Sequence, residues 1–471
     1  MIPVRGFEGK RVAVFGLGRT GLTAARALVA GGAEVALWDE KQASRNAAEA
    51  EGFRVVDLTT ADWSQFAALM LSPGVPLTHP EPHWTVKKAQ EAGVEIVGDI
   101  ELFARSVNAA PEHKRPKVIA ITGTNGKSTT TALIDHICRS AGKDARIGGN
   151  IGIGVLGLED MHGGAVYVLE VSSYQLDLTT SLKPDVSVLL NISPDHLDRH
   201  GGMEGYVAAK RRVLLNQGKG DTAVIGVDDP WCQRICTEIT AANRRTIMPI
   251  SSGRAIGRGI YVLDGALYDG CGERVVEICD LQRARALPGR HNWQNAAAAY
   301  AACRALGIPP SEVADAILSF PGLAHRMELI GAIGDVKFIN DSKATNADAA
   351  RQAMSTYPRF YWIAGGVPKA GGIDSLAELF PRVAKAYLVG QAAQDFARII
   401  GDAAPHVISG DIATATAQAF ADAKAAGGEA IVLLSPACAS FDQFPDFEVR
   451  GDAFRSIVLG LAEPSKREAS A

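Results

Sequence analysis

Short runs of valine, isoleucine and leucine recur along this 471-residue chain, each closed by glycine, serine or an acid and followed by a stretch with helical spacing. RVAVFG (Arg11 to Gly16), EVALWD (Glu34 to Asp39) and LMLSPG (Leu69 to Gly74) come first. KVIAIT (Lys117 to Thr122), AVYVLEVS (Ala165 to Ser172), VSVLLNI (Val186 to Ile192) and TAVIGV (Thr222 to Val227) follow, and then KFIND (Lys337 to Asp341), YWIAGG (Tyr361 to Gly366), AYLVG (Ala386 to Gly390) and AIVLLSP (Ala430 to Pro436). Unbroken apolar runs of this length predict strands buried on both faces, and their alternation with helices predicts doubly wound α/β sheets. Hairpin-like pieces interrupt the alternation between Tyr261 and Ile278, before the alanine-rich helices of Asn292 to Phe320. The pattern breaks at APEHKRPK (Ala110 to Lys117) and PGLAHRMEL (Pro321 to Leu329), which read as a linker and a hinge. Three domains are expected, 1–110, 111–321 and 322–471, ending in a charged tail from Glu463 to Ala471.

Composition narrows the class. The chain is 47% hydrophobic and 21% charged, carries a net charge of -4 and has no basic tract, so nucleic acid is not an expected partner. The N-terminal MIPVRGFEGKRVAVFG turns charged before any long apolar run, which predicts a cytoplasmic protein with no membrane insertion. A monomer is expected. Seven cysteines without a C-x-x-C pair predict buried thiols rather than a disulfide framework or a zinc site.

The richest stretch is KVIAITGTNGKSTTT, Lys117 to Thr131, where a strand enters a glycine turn and then a helix. Gly123, Thr124, Asn125 and Gly126 offer backbone N–H groups to phosphate oxygens, Lys127 adds a charge, and Ser128 or Thr129 can ligate Mg²⁺. An ATP site is the leading reading, although the two glycines stand closer than in the common P-loop. Gly16-Leu17-Gly18-Arg19-Thr20-Gly21 is a second phosphate-binding fingerprint, with Asp39 at the end of the next strand and Ser72-Pro73-Gly74 at the end of a third. It fits the diphosphate of a nicotinamide dinucleotide or of a UDP-sugar.

Other strand ends carry chemistry too. Glu170 is a costly acid in a buried strand unless it meets a metal ion, and Asn191 to Asp198 brings two acids and His196 to the same edge. Lys210, with Arg211 and Arg212 in GYVAAKRRVLL, reads locally as a solvated helix face. In the last third, the loops NDSKATN (Asn340 to Asn346), GGVPK (Gly365 to Lys369) and SPACASFDQF (Ser435 to Phe444) end three strands. Thr345, Lys369 and Ser440 in these loops can converge on a carboxylate, while Cys438 reads as a packed thiol.

GTNGKST, LEVSSYQL, NISPDHLDRH, GRHNWQN, GLAHRMEL, NDSKATN and SPACASFDQF together resemble the Mur ligase family of peptidoglycan synthesis over essentially the whole chain. The resemblance implies an α/β protein of three domains: an N-terminal Rossmann-like UDP-binding domain, a central P-loop-type ATPase domain and a C-terminal Rossmann-like domain. NDSKATN and SPACASFDQF are most similar to the branch that adds D-glutamate to UDP-N-acetylmuramoyl-L-alanine through an acyl phosphate, with ADP and phosphate released. By this resemblance Lys127, Glu170, His196 and Lys210 are catalytic; Ser128, Glu170, His196 and Lys210 serve Mg²⁺; and Asn295, Arg326 and Asp341 join the phosphate loop around ATP. Gly18, Arg19, Thr20, Asp39, Ser72, Pro73, Gly74 and Asn150 fall on the UDP-substrate side, and Thr345, Lys369, Ser440, Phe441 and Phe447 on the D-glutamate side. Lys210 matches a lysine that the family carbamylates with CO₂. A nicotinamide-dependent oxidoreductase, a folylpolyglutamate synthase-like ligase and a non-catalytic P-loop module are the alternatives. The first leaves the phosphate loop unexplained, the second the N-terminal nucleotide domain, and the third the substrate-side loops.

Overall fold

The computed structural model describes residues 1–369 and 371–462, so the tail from Glu463 to Ala471 lies outside the described residues. Nineteen strands form three sheets among them. In chain order, β1 Arg11–Phe15, β2 Glu34–Trp38, β3 Ala68–Leu71 and β4 Glu95–Val97 make the first, parallel throughout in the order β2-β1-β3-β4. The second holds β5 Lys117–Thr122, β6 Asp144–Gly149, β7 Ala165–Glu170, β8 Val186–Leu189, β9 Thr222–Gly226, β10 Thr246–Ser251, β11 Ile260–Leu263, β12 Ala266–Asp269 and β13 Val276–Asp280. Their order is β13-β12-β11-β10-β9-β8-β5-β7-β6, with only the last hairpins, β11 to β13, antiparallel. The third sheet is β14 Glu328–Ile333, β15 Val336–Asn340, β16 Phe360–Gly365, β17 Val383–Val389, β18 His406–Gly410 and β19 Ala430–Leu434, ordered β14-β15-β19-β16-β17-β18 with β14 antiparallel.

These sheets fall into two compact units. One comprises Met1–Ala284 with Asn292–Phe320, the other Arg285–His291 with Pro321 onward. The first two sheets share a unit because one apolar core runs through both, from Val12, Val14 and Leu28 to Ala120, Tyr167 and Leu169. Helix Asp99–Ala109 joins them, and eight of its eleven residues are buried. Phe103 packs on Tyr167 of β7 at 5.3 Å between ring centroids, and Glu101 accepts hydrogen bonds from the backbone N–H groups of Thr180 (2.7 Å) and Ser181 (2.9 Å). Burying a phenylalanine side chain is worth about 1.5–3 kcal/mol. In the second unit the six-stranded sheet is covered on both faces, by a cluster around Trp362, Phe380 and Phe396 and by one around Phe338, Tyr387 and Phe454.

Asp99 opens that joining helix as a buried acid whose carboxylate oxygens accept from the Gln175 side chain at 3.1 and 3.3 Å. Burial pushes its carboxyl up from the ordinary 3.8 to about 6. A raised folded value means that the protonated form is the stable one, so stability present below pH 4 is lost as pH rises towards 6. The loss is on the order of 3 kcal/mol at 1.36 kcal/mol per pH unit. Asp99→Asn should therefore match the wild type in thermal melts at pH 4 and exceed it at pH 7; a constant difference at both values would show that Asp99 does not titrate across this range.

All seven cysteines are free, with Cys138, Cys232, Cys303 and Cys438 buried. Burial raises the Cys438 thiol to about 12, as a packed thiol requires. No helix among the described residues is long and apolar enough to cross a membrane.

Candidate active site

The phosphate loop follows β5, which lies between β8 and β7 in the parallel part of the nine-stranded sheet, and helix Lys127–Ser140 follows the loop. Gly126 is the helix N-cap at φ +84, and a Cβ there would sit 2.2 Å from Asn295 Oδ1. Only glycine allows that approach. The loop is laced from behind: Asn125 N–H donates to Asn191 Oδ1 (2.9 Å), Asn191 Nδ2 donates to Gln294 Oε1 (2.8 Å), and Thr124 N–H donates to Asn191 O (2.9 Å). Lys127 Nζ donates to the carbonyls of Gly123 and Thr124, both at 2.9 Å, which holds the ammonium over the loop. Ser128 is buried and Thr129 half-buried on the first helical turn. Asn295, 2% exposed, accepts from Thr130 Oγ1 at 3.2 Å and donates to Asn292.

Glu170 ends β7 beside this loop, its strand register pairing it with Ile121. It is 3% exposed. Oε1 accepts from Asn150 Nδ2 at 2.7 Å, whereas Oε2 is buried without a hydrogen-bond partner among the described residues. Leaving a carboxylate oxygen so is costly unless a cation meets it. Among the described residues no group of three or more His, Cys, Asp or Glu side chains converges on a metal position. One carboxylate with a spare oxygen next to a phosphate loop nevertheless fits Mg²⁺, which takes few protein ligands and fills its shell with phosphate and water.

Lys210 corrects the local reading of the sequence. It is not on a solvated face: the residue is 1% exposed, and Nζ donates to Gly123 O at 2.8 Å and lies 4.6 Å from the Tyr206 ring centroid. Burial first, and then the charge of Lys127, hold its amine well below the ordinary lysine range. The Tyr206 hydroxyl, 3.1 Å from Thr124 Oγ1, ties this helix to the phosphate loop. His196 is exposed, has φ +52, and lies 3.4 Å from Asp195 and 4.9 Å from the Tyr174 ring.

A cavity of about 340 Å³ is lined in part by Asn150, the hydrogen-bond partner of Glu170. Gly18, Arg19, Thr20, Ser72, Pro73, Gly74 and Asn150 line it, seven of the eight residues expected there, and the structure adds Gly149, Ser172, Tyr174 and Gln175. Asp39 supports the wall instead, accepting from Leu17 N–H at 2.7 Å and Lys41 N–H at 2.8 Å. Asn150 touches both features, facing the cavity and holding Glu170.

In the second unit, β15, β19 and β16 are adjacent, so their terminal loops come together as expected. Val367 and Ala439 exchange backbone hydrogen bonds at 2.9 and 3.0 Å, which joins the loop of Lys369 to that of Ser440. Ser440 is buried, Thr345 half-buried and Lys369 exposed. Phe447 packs under Lys343, whose Nζ lies 3.6 Å from its ring centroid, while Phe441 is 73% exposed. Asp341 is enclosed: it accepts from Ser435 Oγ at 2.8 Å and Met327 N–H at 3.2 Å, and burial pushes it up to about 7. Arg326 lies in this unit as well. Arg450, 2% exposed, binds the loops from below through Ser342 O (2.7 Å) and Cys438 O (3.0 Å). Tyr206, Gln294, Asn292 and Lys343 are further residues around these loops that stand inside or next to the sequence motifs, and Arg450 lies three residues beyond Phe447.

Residues 10–98 match the model of the Mur ligase MurD-like N-terminal domain, 121–303 that of the Mur ligase middle domain, and 325–438 that of the Mur ligase glutamate ligase domain. The chain belongs to the Mur ligase family. A Mur ligase of Caulobacter sp. strain K31, named UDP-N-acetylmuramoylalanine--D-glutamate ligase, is 76% identical over 469 residues, covering 100% of both chains. One of the same name from Brucella abortus strain 2308 is 53% identical over 467 residues, covering 98% of each. Solved Mur ligases share the fold. The UDP-N-acetylmuramate-alanine ligase of Thermotoga maritima has a TM-score of 0.57 at 18% identity, with 96% of this chain and 99% of that one covered. The MurF ligase of the same organism, in complex with ADP, has a TM-score of 0.57 at 15% identity, with 98% and 99% covered.

Proposed function

We propose that this chain joins D-glutamate to UDP-N-acetylmuramoyl-L-alanine at the expense of ATP, releasing ADP and phosphate in peptidoglycan precursor synthesis. One observation carries the reading: Asn150 lines the cavity beside the N-terminal fingerprint and also holds Glu170 at the edge of the phosphate loop. A nucleotide-sugar in the cavity thus has its far end at the place where a triphosphate would be gripped. In this account a substrate carboxylate attacks the γ-phosphate of ATP, because hydroxide is a poor leaving group and the carboxylate must be activated before an amine can displace it. Lys127 and the loop N–H groups neutralise charge on the transferring group. The acyl phosphate then loses phosphate to the amine through a tetrahedral intermediate.

Mg²⁺, when bound, would supply further charge neutralisation; Glu170, Ser128 and His196 are the residues to hold it. Lys210 completes the set as a carbamate. A carbamate forms on a neutral amine, which the burial of Lys210 favours, and it turns a repelling cation into an oxygen ligand. Asn295, Arg326 and Asp341 are assigned to ATP, and Thr345, Lys369, Ser440, Phe441 and Phe447 to glutamate. The three sheets serve as three substrate-holding domains with boundaries near residues 110 and 321.

Enantiomer choice tests the reading. With the glutamate carboxylates fixed by loops of the second unit, only one configuration presents its amine, and a misplacement of about 1 Å costs roughly a hundredfold. Phosphate release with UDP-N-acetylmuramoyl-L-alanine and ATP should require D-glutamate and be about a hundredfold slower, or slower still, with L-glutamate. Comparable rates with both would overturn the assignment.

A further inference from the structure

Tyr174 stands in the first turn of helix Ser173–Asp177, directly after β7, and its ring forms part of the cavity wall. Three side chains pack against that ring. Arg199 lies over it, with its guanidinium carbon 4.7 Å from the centroid, His200 stacks at 5.4 Å and 14°, and His196 is tilted against it at 4.9 Å. His200 is itself pinned, with Nδ1 3.0 Å from Asp177 and Nε2 3.0 Å from Ser173 Oγ. Arg199 also donates from Nη1 to Gly74 O at 3.1 Å, in the Ser72-Pro73-Gly74 loop that lines the same cavity. One side chain therefore fixes the orientation of a phenol and the position of a cavity loop. A cation over an aromatic ring is attracted by the ring's quadrupole, which helps hold the phenol in place.

The phenol hydroxyl has no hydrogen-bond partner among the described residues. A phenol is a hydrogen-bond donor throughout the neutral range. A pre-oriented, uncommitted O–H on a cavity wall matches a ligand that carries oxygen acceptors. Its place is informative as well. The glycine fingerprint and the helix N-terminus at Arg19 occupy the wall suited to a diphosphate, whereas Tyr174 shares the wall of Ser172 and Asn150, next to Glu170.

We propose that Tyr174 is a specificity-determining residue whose hydroxyl binds a sugar-side oxygen of the nucleotide substrate, and that Arg199 is the positioning residue that aims it. The proposal rests on the substrate reading above. It makes the phenol a reader of what lies beyond the diphosphate, in the part of the ligand that distinguishes one UDP-sugar from another.

Tyr174→Phe keeps the ring and removes only the hydroxyl, so the fold and the Arg199 stack should persist. Titration calorimetry of UDP-N-acetylmuramoyl-L-alanine should show binding about tenfold weaker than to the wild type, with UDP itself bound equally by both. In turnover, KM for the nucleotide-sugar should rise by the same factor while kcat and KM for ATP stay within about twofold. Arg199→Ala should weaken the full substrate at least as much, because it frees the Gly74 loop as well as the phenol, and adding Tyr174→Phe to it should cost little more. Equal affinity of wild type and Tyr174→Phe for the full substrate would overturn the proposal alone, and an equal loss with UDP would overturn the sugar-side assignment. Wild-type protein that binds neither ligand would overturn the substrate reading and this inference with it.

Discussion

Lys127→Ala is expected to lower ligase turnover by about a hundred- to a thousandfold while moving the melting temperature by no more than a few degrees. The lysine is half-buried and its Nζ is spent on two loop carbonyls, Gly123 O and Thr124 O, so the folded state owes it little beyond the local shape of the loop. During phosphoryl transfer the same ammonium faces charge that water no longer screens, and removing one preorganised donor from such a site costs about a hundred- to a thousandfold in rate. Paired thermal melts and phosphate-release assays check the prediction. A folded Lys127→Ala protein with near-wild-type turnover would remove the phosphate loop from the mechanism.

Lys210→Arg is expected to be nearly as damaging although it preserves the charge of a free lysine. Lys210 is 1% exposed, its amine sits 2.8 Å from Gly123 O, and burial together with Lys127 disfavours the ammonium. Arginine cannot be deprotonated in a protein and cannot carry a carbamate, so it would place a permanent cation where the proposed carbamate would present an oxygen ligand. A loss on the order of a hundredfold is expected. Lys210→Ala should regain part of its activity when a short carboxylic acid is added, and wild-type activity should fall in CO₂-depleted buffer and return with bicarbonate. Lys210→Arg with normal turnover in CO₂-depleted buffer would leave this lysine a structural role only.

Much of this architecture is legible in the residues because doubly wound sheets bury their strands on both faces, and such strands advertise themselves as unbroken apolar runs. The strands that escaped notice lack that signature. β6 reads DARIGG, with an acid, an arginine and two glycines, and its glycines are there for a spatial reason: a Cβ on Gly149 would meet Glu170 O at 2.3 Å. The Asn150–Glu170 contact depends on the pairing of Gly149 with Glu170 across β6 and β7, a register that twenty residues of intervening sequence do not encode locally. Lys210 was legible in principle. Tyr206, Ala209, Lys210, Val213 and Leu214 recur at helical spacing, and the lysine stands inside that buried stripe rather than opposite it. Adjacent Arg211 and Arg212 suggested a charged face and obscured the period. The exposure of Phe441 and the packing of Phe447 under Lys343 follow from loop conformations, which composition alone does not specify.

The central claim is that the substrate carboxylate is activated by phosphoryl transfer before the amide forms, and isotope transfer measures this directly. UDP-N-acetylmuramoyl-L-alanine labelled with ¹⁸O in its alanine carboxylate is incubated with the protein, ATP and D-glutamate, and the released phosphate is analysed by mass spectrometry. Attack of the carboxylate on the γ-phosphate predicts one labelled oxygen in each phosphate formed, in step with amide product. Amide product accompanied by unlabelled phosphate would contradict the account.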